Sequence, residues 1–151
     1  MPKIKFKIVT PEKVVYENEI DQITLTTKMG EVTILPNHIP LVSSLKAGEI
    51  LIKKDGQEIP LAVSGGFAEL ANNNLVILAD TAERVEEIDE AQAEEARKRA
   101  EEFLKRRGQV AEEAVDYTAL AAKLEKELAR LKVVRKYRRN RPSQPTIRLE
   151  E

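Results

Sequence analysis

The spacing between apolar residues changes once along this chain, near Ala82, and that switch restricts the fold more than any single motif. Before it the period is two. Ile4, Phe6 and Ile8 face one way and Lys3, Lys5 and Lys7 the other, and alternation returns in Ile20-Asp21-Gln22-Ile23-Thr24-Leu25 and in Glu49-Ile50-Leu51-Ile52-Lys53. A strand turns successive side chains to opposite faces, so this pattern is that of half-buried sheet. Turn signals interrupt it at Thr10-Pro11-Glu12, Lys28-Met29-Gly30, Leu35-Pro36-Asn37, Ala47-Gly48, Asp55-Gly56, Ser64-Gly65-Gly66 and Asn72-Asn73-Asn74. Short strands at that spacing predict an all-β sandwich or barrel, not alternating βαβ units. Lys53-Lys54-Asp55-Gly56-Gln57-Glu58 reads as a tight hairpin, because Asp-Gly accepts the positive φ angles a two-residue turn needs.

From Ile88 onward glycine and proline nearly vanish, and alanine, glutamate, lysine and arginine take over. These are strong helix formers. Asp89 stands where an N-cap would, and a first helix over about 89–107 carries Ala93, Ala96, Ala100 and Phe103 or Leu104 on one face. Its acids (Glu90, Glu94, Glu95) lie at the start and its bases (Lys105, Arg106, Arg107) at the end, as the helix dipole favours. Gly108-Gln109 is the expected break. A second helix then aligns Tyr117, Leu120, Leu124, Leu128, Leu131 and Val134, and a short connection predicts an antiparallel hairpin. The expected fold is therefore β + α: an N-terminal antiparallel β-sandwich over 1–84, an antiparallel two-helix hairpin over 85–139, and a disordered basic tail over 140–151. Burying alanine methyls gains little apolar area, so a weakly attached hairpin, able to leave the sheet, is also expected.

Composition narrows the chemistry. The 151 residues include no cysteine and one histidine, His38, which excludes thiolate catalysis, disulfides and multi-histidine metal sites. Net charge is −1, with 42% hydrophobic and 34% charged residues, so a core is affordable and much of the surface is solvated. No apolar run approaches the roughly 18 residues that cross a bilayer, and no direct membrane insertion is expected. Ser64-Gly65-Gly66-Phe67 lacks the lysine and following helix of a phosphate-binding loop, and nothing places a nucleophilic serine beside His38. No catalytic site is read from the chain. The segment 30–42 is the most distinctive: Pro36 and Pro40 flank His38 between apolar strands, stiffening an extended turn. On spacing alone it fits a rigid connection with His38 capping a turn.

Three ordered blocks carry a resemblance. Gly30-Glu31 through Ile34-Leu35-Pro36-Asn37-His38-Ile39-Pro40-Leu41 is the first, Leu45-Lys46-Ala47-Gly48-Glu49-Ile50 with Val63-Ser64-Gly65-Gly66-Phe67-Ala68-Glu69 the second, and Leu78-Ala79-Asp80-Thr81-Ala82-Glu83 the third. With the sheet-then-hairpin layout, these resemble the epsilon subunit family of the rotary proton-translocating ATP synthase, over residues 1 to about 135.

The resemblance implies a non-catalytic rotor subunit at the cytoplasmic face of the bacterial cell membrane, peripheral to it. Its sandwich would grip the gamma subunit and rest on the c-subunit ring, with Glu31 and His38 in the loop region facing that ring. Its hairpin would either fold against the sandwich or extend along gamma toward the beta and alpha subunits, and extended it would restrain ATP hydrolysis. Arg130, Lys132, Arg135, Lys136, Arg138 and Arg139 would meet an acidic segment of a beta subunit, and the run 130–141 contains no acid. Some relatives bind ATP through a motif of the form Ile/Leu-Asp-x-x-Arg-Ala. Here Ile88, Asp89 and Ala93 match but Gln92 replaces the arginine, while Arg99, Lys126 and Arg130 match further basic positions. Glutamine lacks the charged fork that suits a phosphate, so no cofactor is required and ATP is expected only as a weak regulatory ligand. Two rival classes remain on the residues. A nucleic-acid-binding module would need an aromatic platform that Tyr137 alone does not supply, so no nucleic acid is expected, and a coiled-coil adaptor would need a longer leucine seam.

Overall fold

A computed structural model describes residues 2–106 and 117–139, without the side chains of Tyr117 and Arg139. The expected break at Gly108-Gln109 and the tail 140–151 lie outside the described residues.

Nine strands precede the helices: β1 (Ile4–Val9), β2 (Val14–Ile20), β3 (Gln22–Thr27), β4 (Gly30–Ile34), β5 (Leu41–Lys54), β6 (Gln57–Val63), β7 (Gly66–Ala71), β8 (Asn74–Ala79) and β9 (Ala82–Arg84). One layer runs β2-β1-β8-β7 to the first half of β5; the other joins β4-β3 to its second half, followed by β6 and β9. Their inward residues form one core, in which Ile4, Phe6, Ile8, Ile20, Ile23, Leu25, Ile50, Ile52, Leu61 and Ile77 are fully buried. Each such side chain stabilises the fold by about 1.5–3 kcal/mol. One pair departs from the antiparallel expectation: β1 runs parallel to β8. The two are far apart in sequence, so no hairpin dictates their sense.

Two tight turns follow their local chemistry. Asp55 and Gly56 both have positive φ, and so do Asn72 and Asn73, which close the β7–β8 hairpin. The expected turn at Ala47-Gly48 is instead the middle of β5. Residues 41–45 pair with β7, and 48–54 pair with β3 and β6, so the strand bends from one layer to the other there. Glycine suits the bend because a Cβ on Gly48 would lie 3.3 Å from the Thr26 side chain. Asp21 makes a second corner: Ile20 and Ile23 are both buried, three apart, which no unbroken alternation allows.

A 3-10 turn at Val85–Glu87 leads into α1 (Glu90–Lys105), and α2 (Tyr117–Arg139) follows. Asp89 caps α1 as expected, its carboxylate accepting from the Gln92 N–H at 3.1 Å. The C-terminal end of α2 meets the N-terminal end of α1, so the hairpin is antiparallel. Ala93 and Ala100 are buried on α1, whereas Phe103 is 43% exposed.

It is α2 that packs on β5 and β6, so the alanine stripe of α1 does not set the strength of that contact. Val133 and Val134 meet Ala62, Val85 and Ile88 there, with Tyr137 at the margin. Because α2 touches both α1 and the sheet, its buried positions (Glu127, Ala129, Leu131, Val133, Val134) span roughly 200° at 100° per residue. Leu128 falls outside that arc and is exposed.

Candidate functional site

The outer face of the first layer is apolar where a solvated face would be polar. Val42, Phe67, Val76 and Leu78 all point outward, and Phe67 is 61% exposed. Register brings them together: Phe67 pairs with Leu78, Val42 with Glu69, and Glu69 with Val76. On the flanking strands Lys7 stands opposite Glu17, and Lys5 opposite Glu19, giving an apolar centre beside a charged margin. Exposed apolar patches of this kind mark protein or membrane interaction sites or ligand grooves. Sequence reasoning passed over it, although Leu75-Val76-Ile77-Leu78-Ala79 is apolar at every position, as in strands covered on both faces.

The structure separates Glu31 from His38. Glu31 is not in a loop; it is the second residue of β4, opposite Thr26, and is exposed beside a cleft that also holds Thr24, Lys46, Lys132 and Lys136. His38 follows the turn beyond the other end of β4, the strand from Glu31 to Ile34 alone spanning about 10 Å. There the His38 N–H bonds the Leu35 carbonyl at 3.2 Å, and ring Nδ1 donates to the Ile39 carbonyl at 2.7 Å. Asn37, at φ 65°, is locked to Asn73 by two hydrogen bonds of 2.6 and 2.9 Å, which fastens this turn to the β7–β8 hairpin. Leu35 and Ile39 project from it into solvent.

The basic run of α2 is not left without acids. Arg130 donates to Glu127 at 2.8 Å and to Glu83 of β9 at 3.1 Å, in a largely buried group whose Nε has no partner among the described residues. Lys136 donates to Glu49 of β5 at 3.0 Å, and the Tyr137 hydroxyl donates to the other oxygen of the same carboxylate. Burial, and then that hydrogen bond, push the Tyr137 phenol up to about 12. The bond to Glu49 raises Lys136 against the opposing effect of burial. Arg135 reaches Glu94 at 2.9 Å and Glu90 at 3.6 Å. Arg138 donates to the carbonyls of Ile88 (2.7 Å) and Val85 (3.3 Å) and lies 3.7 Å from Glu90. Lys132 is exposed. The side chain of Arg139 lies outside the described residues.

The nucleotide-motif positions lie in differing surroundings. Ile88 and Ala93 are buried, Asp89 is committed to its cap, and Gln92 is exposed. Arg99 is held by Glu95 on its own helix while Arg130 is held by Glu83 and Glu127, so the two guanidiniums answer to different carboxylates. Lys126 is half-buried on α2. Among the described residues no group of His, Cys, Asp and Glu could hold a metal ion, and no helix is long and apolar enough to cross a membrane.

Comparison with known proteins agrees with this layout. Residues 3–85 match the model of the ATP synthase delta/epsilon chain β-sandwich domain, and residues 86–135 match that of its long α-helix domain. The ATP synthase epsilon chain of Geobacter sulfurreducens is 41% identical over 134 residues, 89% of this chain and 95% of that one. That of Chloroflexus aggregans is 45% identical over 130 residues, 86% and 91% of the two chains. Among solved structures, a chain of the Euglena gracilis mitochondrial ATP synthase superposes with a TM-score of 0.70 at 23% identity, covering 85% of this chain and 79% of that one. A sandwich with an uncovered apolar face, a helical hairpin folded back on its other layer and two family models that together span 3–135 lead to one assignment: the chain belongs to the ATP synthase delta/epsilon chain family.

Proposed function

We propose that this protein is the non-catalytic epsilon subunit of an ATP synthase central stalk, coupling proton translocation to ATP synthesis and restraining ATP hydrolysis through its C-terminal helices. The observation that carries the reading is the apolar face of Val42, Phe67, Val76 and Leu78, which fits a permanent protein partner. The gamma subunit is that partner. The sandwich, over 1–84, clamps it, and the exposed side that runs from Glu31 along β4 to Leu35, His38 and Ile39 rests on the c-subunit ring. The protein is a peripheral subunit at the cytoplasmic face of the bacterial membrane.

The hairpin, over 85–139, is the regulatory part. Folded, it engages its cations internally; extended, it presents Arg130, Lys132, Arg135, Lys136, Arg138 and Arg139 to an acidic segment of a beta subunit within the alpha–beta head. No cofactor is required, and ATP binds weakly at most, a reading supported by Gln92 and by the occupied guanidiniums of Arg99 and Arg130. Co-purification with gamma tests the stalk assignment, and failure to bind gamma refutes it. Deleting everything after Gly108 raises ATPase activity of the assembled complex; unchanged activity refutes the regulatory role alone.

A further inference from the structure

We infer that Glu49 and Glu83 form a two-point latch that holds α2 on the sandwich, and that an acidic protein surface opens it by substituting its own carboxylates for theirs. The inference deepens the regulatory reading and rests on it. Apolar contact alone is a modest tie, since among the described residues the cluster between α2 and the sandwich consists of Ala62, Val85, Ile88, Val133 and Val134, with Tyr137 partly buried against it. Ionic contacts supply the rest, and they come from two strands. Glu83 on β9 receives Arg130, and Glu49 on β5 receives both Lys136 and Tyr137, roughly 9 Å further along the helix.

The two points differ in character. Side-chain exposure at Arg130 and Glu83 is 12% and 25%, so removing either partner strands a largely desolvated charge. Glu127 travels with Arg130 on α2 and keeps it half-paired in any position of the helix. At Glu49 the lysine is 52% exposed, and this pair is open to competition from solvent and other anions. Arg138 adds a third tie, to the carbonyls of Val85 and Ile88, so the connection between sandwich and hairpin is pinned by the same turn of α2. Arg130, Arg135, Lys136 and Arg138 thus each have a carboxylate in their own chain. Partner carboxylates can engage them only by replacement. A replacement of like for like keeps each cation paired throughout, which simple dissociation into water does not.

Hydrogen exchange of the α2 amides in the full chain tests this. In the Glu49→Gln, Glu83→Gln double variant, exchange across 126–138 accelerates about tenfold or more, while β3 and the second half of β5 keep wild-type protection. Glu125→Gln, on the same helix, serves as control and leaves exchange unchanged. A poly-glutamate peptide added to the wild-type chain speeds the same amides beyond sodium chloride at equal ionic strength, and this arm needs no variant to fold. Wild-type exchange rates in the double variant, or a poly-glutamate effect no greater than that of salt, overturns the latch. Such a result leaves the inhibitory role standing, because that role is read from ATPase activity after removal of everything beyond Gly108.

Discussion

Replacing Phe67 by alanine separates what this residue does for the fold from what it does for assembly. In the free chain Phe67 is 61% exposed, so most of its ring contributes nothing to the sandwich core. A phenylalanine can bury roughly 200 Å², and the exposed fraction is then about 120 Å² of apolar surface still in contact with water. Covering that area at about 25 cal/mol per Å² is worth about 3 kcal/mol, or roughly a hundredfold in dissociation constant. The cost to folding is smaller, about 2 kcal/mol, because only the remaining area of roughly 80 Å² is already packed. Isothermal titration of the variant into purified gamma subunit measures the first quantity, and urea unfolding of the variant alone measures the second. A Phe67→Ala protein that binds gamma within a few-fold of wild type means that this face is not the stalk contact. A variant that loses folding stability and affinity in equal measure means that the ring is structural.

Three further outcomes follow from the geometry. Gly66→Ala destabilises the sandwich by about 3 kcal/mol or more, since a Cβ there would sit 2.0 Å from the Leu78 carbonyl oxygen at a φ of +144°, and a thermal melt reads it as a loss of at least about 10 °C. The Tyr137 phenol, pushed up to about 12, binds its proton more tightly folded than unfolded, so its contribution is complete below its ordinary value near 10 and is lost as pH climbs through 12. Docking of α2, followed by circular dichroism on heating, therefore weakens over that window, and Tyr137→Phe makes the decline shallower, leaving the part due to Lys136. Glu31→Lys weakens the coupling of proton flow to ATP synthesis, and ATP-driven proton pumping at the wild-type rate would contradict the role given to Glu31.

Local chemistry was the legible part of the fold. Alternation fixed which side of β1 and β3 is buried, Asp55-Gly56 announced its hairpin, and Asp89 marked the start of α1 within one residue. Each of these depends on neighbours a few positions away. What required distant neighbours was not legible. Ala47-Gly48 looks like a turn because small residues permit one, yet the ladder with β3, β6 and β7 makes it a bend within one continuous strand. Leu128 matched a helical stripe, but α2 has two neighbours rather than one, and its buried arc turns away from that position. At the candidate site the cations of α2 were plain in the sequence while their partners were not, because Glu49 lies 87 positions before Lys136. The apolar face could have been seen in the unbroken run of β8, whose second face has no use within a two-layer sandwich.

The single strand that belongs to both layers has a mechanical consequence. Along Leu41–Lys54 the backbone is bonded first to β7 and then to β3 and β6, so the two layers share one covalent beam. Side chains at a core interface can slide past one another; a peptide chain threaded through both sheets cannot. A sideways load applied at Val42 is therefore carried along the main chain to Glu49, where α2 is seated, with no loop in between to absorb it. Displacement imposed on one side of the sandwich reaches the helix on the other along one continuous strand.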